Sequence, residues 1–218
     1  VSHQVSWGRT ATLTQVQRIT LREIRLPLRE PFRISSGVVA ERRILLVRLT
    51  DADGVTGWSE CVAGEQPNYS PETVDTAWHA IREWFAPRLL GASLGAAREA
   101  DALLSRNVRG HRMARAAVEM GVWEVEARRL NVPLSTLLGG TRTHVDVGIS
   151  LGIQQTPVDL VERARSALLA GYRKIKLKIQ PGADIEFGAA VRSALGPDAP
   201  LMVDANNAYT LADAEHLA

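Results

Sequence analysis

The chain has 218 residues, 45% of them hydrophobic and 23% charged, with a formal net charge of +2. That balance excludes a disordered chain, and an arginine excess without any basic block excludes a nucleic-acid surface. No apolar run approaches the roughly 20 residues of a membrane span, and the first residues lack the basic-then-apolar order of a signal peptide. A cytoplasmic protein is expected, with no membrane or nucleic-acid partner. The single cysteine, Cys61, cannot form an internal disulfide, which agrees with a reducing compartment; it reads as a small buried residue near a strand end.

Residues 1–18 read as an N-terminal extension. From 19 to 60 the pattern is extended: ITLREIRLPL and RRILLVRLT are rich in β-branched and aliphatic residues, and DADG at 51–54 supplies a hairpin turn before VTGWSE. Between the first two strands, PFRISSGVVAE carries Pro31, two serines and Gly37 and reads as a loop. Ser70-Pro71-Glu72 offers an N-cap, a first-turn proline and an acid, which predicts a helix running to about residue 85. Helices near 96–107 and 111–130 follow, and Gly139-Gly140 closes a mainly helical block.

After Thr141 the rhythm becomes strand, helix, strand, helix, strand, helix. VDVGISLG, RKIKLKI and PLMVDA are the strands; residues 157–170 and 184–195 are helices; Thr210 or Asp213 opens another. This alternation predicts βαβ units and a parallel sheet, either the start of a (β/α)8 barrel or a doubly wound fold. No G-x-G-x-x-G follows any of the three strands, which weakens a nucleotide-binding version.

The second of these strands holds every lysine of the chain: Lys174, Lys176 and Lys178 are the only lysines among 26 basic residues. Strand side chains alternate, so the three share one face and Ile175, Leu177 and Ile179 share the other. In a parallel βαβ unit both faces are covered, and a buried ammonium requires carboxylates, a metal cluster or an anionic substrate to answer it. Lysine, unlike arginine, can give up its proton and act as a base or form a Schiff base. Lys174 is the member expected in water; Lys178 is nearest the C-terminal end of the strand, where parallel barrels place their chemistry. One strand later, LMVDANN puts Asp204 at a strand end as a candidate hard-cation ligand, with Asn206 two residues on. A lysine base beside carboxylate-held Mg²⁺ is the arrangement of enolase-superfamily sites, where the cation stabilises the enediolate left by proton abstraction next to a carboxylate.

YRKIKLKIQPGAD followed by LMVDANNAYTLADA resembles the second and third barrel strands of the muconate-lactonizing branch of the enolase superfamily. More narrowly it is similar to the o-succinylbenzoate synthase and N-succinylamino acid racemase group. PFRISSG and WSECVAGEQPNYS resemble that group's two capping-domain specificity loops, and GHRMARAAVEM, PLSTLLGG and VGISLGI resemble further motifs in the same order. The resemblance implies an α/β plus α+β protein. An α+β capping domain over 19–140 would precede the first three βα units of a TIM-type (β/α) barrel over 141–218.

It implies Mg²⁺ (or Mn²⁺) held by Asp204 and two later acidic residues, Lys178 exchanging the α-proton, and Lys176 assisting electrostatically. For the synthase, Lys178 would take the proton of a cyclohexadiene carboxylate of menaquinone synthesis and help expel hydroxide. The racemase needs a further lysine across the barrel. Asn206, Ser150, Phe32 and Tyr69 are candidate contacts to a small-molecule carboxylate substrate, and a homo-oligomer is expected. The missing ligands and opposing lysine make the chain an expected N-terminal portion of a longer protein, truncated inside the barrel and inactive by itself. Other readings are a dipeptide epimerase or muconate cycloisomerase of the same superfamily, a Schiff-base aldolase, and a non-catalytic half-barrel completed by another chain.

Overall fold

The computed structural model describes residues 14–214, so most of the extension expected over 1–18 lies outside the described residues. The chain divides into two compact units. The first comprises the described residues up to Leu26 together with Arg42–Thr141; the second comprises Pro27–Glu41 and the chain from Arg142 onward.

The first unit is built on strands β1 (Thr14–Ile34), β2 (Gly37–Asp51), β3 (Thr56–Cys61) and the short β4 (Ser93–Leu94), in the sheet order β3-β2-β1-β4. β2 and β3 pair antiparallel with Leu45 opposite Cys61 and Leu49 opposite Gly57. Along β2, Leu45, Val47, Leu49 and Asp51 are buried in strict alternation, the period of a strand with one covered face.

Helices α1 (Val74–Ala80), α2 (Ala86–Leu89), α3 (Ala100–Ser105), α4 (Arg112–Arg129) and α5 (Leu134–Leu137) complete the unit, and a π-helical turn, Ile81–Phe85, joins α1 to α2. α4 buries Ala114, Ala117, Val118, Gly121, Val122 and Val125, a stripe at helical spacing. The helix lies unusually close to β3: a Cβ on Gly57 would sit 2.7 Å from the Gly121 carbonyl oxygen. The Ser59 hydroxyl donates to the Ala117 carbonyl at the same crossing. Cys61, buried at the end of β3, is part of this core, as the sequence suggested.

Two details differ from the sequence reading. The first long helix begins at Thr73, not Ser70: Thr73 and Thr76 form a reciprocal capping box. Glu72 serves a different helix, its carboxylate accepting from the Met113 amide at 3.0 Å and the Ala114 amide at 3.1 Å at the start of α4. The second difference is PFRISSGVVAE, which is a hairpin tip rather than a loop. β1 continues to Ile34 and β2 starts at Gly37, leaving only Ser35-Ser36 as the turn.

The second unit contains β5 (Gly148–Leu151), α6 (Pro157–Leu169), β6 (Lys174–Lys178), α7 (Ile185–Leu195) and β7 (Leu201–Asp204). The three strands form a parallel sheet in the order β5-β6-β7. Thr156 caps α6 by accepting from the Asp159 amide, and Gly171 ends it with φ +94°, a value that glycine reaches without a Cβ penalty. Ile175 and Leu177 are fully buried in an apolar cluster with Leu160, Ala164, Phe187 and Val191. The hairpin tip belongs to this unit: the Ile153 amide donates to the Arg33 carbonyl at 3.0 Å, and Arg163 pairs with Glu30 at 2.7 Å. No helix among the described residues is long and apolar enough to cross a membrane.

Candidate functional site

The apolar face of β6 leaves its lysines on the opposite side, and their exposure falls along the strand. Lys174 is exposed, Lys176 is half-buried, and Lys178 is 9% exposed. β7 pairs with β6 so that Lys178 stands opposite Asp204 at the C-terminal ends of both strands. Register partners in a parallel pair project to the same side of the sheet, so the carboxylate meets the ammonium.

Lys178 Nζ donates to Asp204 Oδ2 at 2.8 Å and to Asn206 Oδ1 at 2.6 Å. Lys176 Nζ lies 3.0 Å from the same Asp204 oxygen. The other oxygen, Oδ1, accepts from the Asn206 amide at 3.0 Å. The hydrogen bond from Lys178, then that from Lys176, then the Asn206 amide, hold the Asp204 carboxyl well below the usual carboxylate range.

Asn206 and the following Asn207 both take left-handed backbone conformations, φ +48° and +62°, which fold the chain sharply after β7. Besides the bond from Lys178 to Asn206, other contacts tie the bend to its surroundings. Ser35 Oγ donates to the Ala205 carbonyl at 2.7 Å, and the Tyr209 hydroxyl donates to Asp184 Oδ2. Burial, and then the Asp184 carboxylate, push the Tyr209 phenol up to about 12. Neither Ser35 nor Tyr209 was singled out from the sequence. The signal within it was weak: an Asn-Asn pair tolerant of left-handed backbone just after a strand.

The structure thus brings Lys176, Lys178, Asp204 and Asn206 into one hydrogen-bonded cluster. Ser150, on β5, is in register with Lys176 and, with Phe32, lines a cavity of about 350 Å³ whose lining does not include the lysines. Tyr69 belongs to the first unit, where it is 83% exposed.

Among the described residues, no group of three His, Cys, Asp or Glu side chains converges to hold a metal. Mg²⁺ takes oxygen ligands, keeps several waters and is bound through one or two carboxylates together with substrate oxygens. Asp204 fits as one such ligand.

Residues 16–139 match the N-terminal domain of mandelate racemase / muconate lactonizing enzyme, and residues 159–218 match the enolase C-terminal domain-like family. The chain is 44% identical over 202 residues to an o-succinylbenzoate synthase of Geobacillus kaustophilus, covering 93% of this chain and 53% of that one. It is 42% identical over 200 residues to an N-succinylamino acid racemase of Amycolatopsis sp, covering 92% and 54%. A crystal structure of an enolase-superfamily member from Enterococcus faecalis V583 superposes with a TM-score of 0.84 at 40% identity, covering 94% of this chain and 55% of that one. The chain therefore spans about half the length of the curated relatives it matches. It belongs to the mandelate racemase / muconate lactonizing enzyme family of the enolase superfamily, with o-succinylbenzoate synthases and N-succinylamino acid racemases among its relatives.

Proposed function

We propose that the protein carrying this chain abstracts a proton α to a substrate carboxylate, acting as an o-succinylbenzoate synthase, an N-succinylamino acid racemase, or both. The single observation that supports it best is Lys178 Nζ at 2.8 Å from Asp204 Oδ2, both on the ends of adjacent parallel strands. The relatives carrying those two names are consistent with it. In this reading residues 19–140 are the capping domain, and residues 141–218 are the first three βα units of a (β/α)8 barrel whose mouth is the C-terminal end of β5-β6-β7.

Lys178 is the base: in its unprotonated form, Nζ takes the α-proton. In the synthase reaction it returns that proton to the departing hydroxyl, so that a C–H and a C–O bond break, a C=C bond forms and water leaves. Lys176 holds positive charge beside the forming anion, and Asn206 orients the Lys178 amine. Ser150 and Phe32 contact the substrate, a small carboxylate. Asp204 would be one of the oxygen ligands of a Mg²⁺, which when bound would supply positive charge to stabilise the anion left by proton abstraction. The protein is cytoplasmic and assembles as a homo-oligomer.

The test is exchange of the substrate α-proton with deuterated solvent, followed by NMR on the full-length protein. Lys178→Arg abolishes exchange and leaves Mg²⁺ binding by calorimetry intact, whereas Asp204→Ala weakens Mg²⁺ binding. Exchange that survives Lys178→Arg removes Lys178 from the role of base. A panel of o-succinylbenzoate precursor, N-succinylamino acids, dipeptides and muconate then identifies the reaction.

A further inference from the structure

We infer that Tyr209 is a positioning residue, whose hydroxyl, clasped on Asp184, holds the bend after β7 in the form that lays the Asn206 amide oxygen on Lys178. Its consequence for catalysis rests on the reading of Lys178 as the base.

The bend contains two successive left-handed asparagines, at φ +48° and +62°. Within it the Ala208 amide donates to the Ala205 carbonyl at 3.1 Å. Asparagine tolerates this region better than other L-residues but still at some conformational cost, so two in succession persist where their surroundings hold them. Tyr209 is the residue that closes it toward β6. Its hydroxyl reaches Asp184 Oδ2, while Asp184 Oδ1 accepts from the Ile185 amide at 2.9 Å and so is itself fixed at the start of α7.

Asp184 stands at the end of the segment that leaves Lys178. That segment is folded on itself by the Ala183 amide donating to the Gln180 carbonyl at 2.9 Å. The Tyr209–Asp184 bond therefore joins the two loops that follow β6 and β7, the strands carrying Lys178 and Asp204. Asn206 lies inside the stretch so closed, 2.6 Å from Lys178 Nζ. The Tyr209 ring also packs on the apolar cluster beneath the sheet. A structural filler would need only that ring; the hydroxyl is what positioning requires.

Tyr209→Phe keeps the ring and removes the hydroxyl. In the full-length protein it lowers kcat for α-proton exchange about five- to tenfold, the worth of one hydrogen bond, with KM unchanged. The Asn206 side-chain amide resonance shifts or broadens. Added to Asn206→Ala, the same substitution lowers kcat no further, because the two act through one contact. Should Tyr209→Phe not fold, Asp184→Ser makes the test from the other side, because its shorter hydroxyl can still cap Ile185 but leaves Tyr209 without the carboxylate oxygen it bonds. An unchanged kcat together with an unchanged Asn206 resonance overturns the inference, as does full additivity with Asn206→Ala. If the unaltered protein exchanges no α-proton, the reading of the base fails instead. Tyr209 is then judged on the Asn206 resonance: movement in Tyr209→Phe upholds the clasp, and an unchanged signal overturns it.

Discussion

Asp204 accepts from two ammonium groups and a backbone amide, which lowers its carboxyl in the folded protein relative to the about 3.9 of an unfolded aspartate. A group depressed on folding contributes stability that is complete above the unfolded value and is lost as pH falls toward the native one. Unfolding by denaturant should therefore become easier as pH drops from about 5 toward 2. Asp204→Asn should flatten that acid limb. It should not abolish it, because Glu23 and Asp75 are held low in the same sense by hydrogen bonds from Arg43. An unchanged slope in Asp204→Asn would show that the lysine contacts do not persist in solution.

Cys61 is 1% exposed, and burial pushes its thiol up. A thiolate reagent such as dithionitrobenzoate should leave it untouched in the native protein and label one equivalent on unfolding. Both the lysine face and the buried cysteine were legible in the sequence, the first from a strand's period of two and the second from the habit of a lone cysteine near a strand end to be a small buried residue. The Tyr209–Asp184 bond was not: its partners are 25 residues apart, and their meeting depends on how two loops fold back after neighbouring strands.

At the level of elements, local chemistry predicted that a helix exists better than where it begins. Ser70-Pro71-Glu72 has the composition of a helix start, but so does Thr73 with Thr76, and only one set can be used. Tertiary packing decides between them by drawing Glu72 to the amides of α4. PFRISSGVVAE misled for a related reason: proline, serine and glycine are loop residues on average, yet a hairpin needs only two of them for its turn. The α4–β3 crossing, by contrast, depends on glycine in a way that composition cannot reveal. A Cβ at residue 57 would stand 2.7 Å from the Gly121 carbonyl oxygen and 2.8 Å from the Val125 amide nitrogen, both of them backbone atoms. Gly57→Ala should consequently destabilise the protein by about 1–3 kcal/mol in denaturant titrations. A neutral result would mean that α4 can move off the sheet at little cost.

For the whole molecule, the change of rhythm at Thr141 marked the strand–helix alternation of the second unit, and the alternation is present with the sheet order β5-β6-β7. The assignment of Pro27–Glu41 to that same unit was not legible. It rests on contacts made by residues more than a hundred positions away, such as Ser35 with Ala205 and Glu30 with Arg163. A chain cut back to residue 141 should retain slow amide exchange along the β2–β3 pairing and lose protection at residues 27–41. Retained protection at the tip would show that the hairpin is ordered without the second unit.

The grouping of residues also has a consequence for inheritance. The backbone passes from one unit to the other three times, after Leu26, after Glu41 and after Thr141. A single genetic crossover at residue 141 would transplant the parallel sheet but leave its fifteen-residue hairpin tip behind in the old host. A faithful exchange needs three matched junctions. Recombination should therefore transmit the two units as one block, and a chimera built at one junction should fail at the seam between Ala205 and Ser35 before it fails in either core.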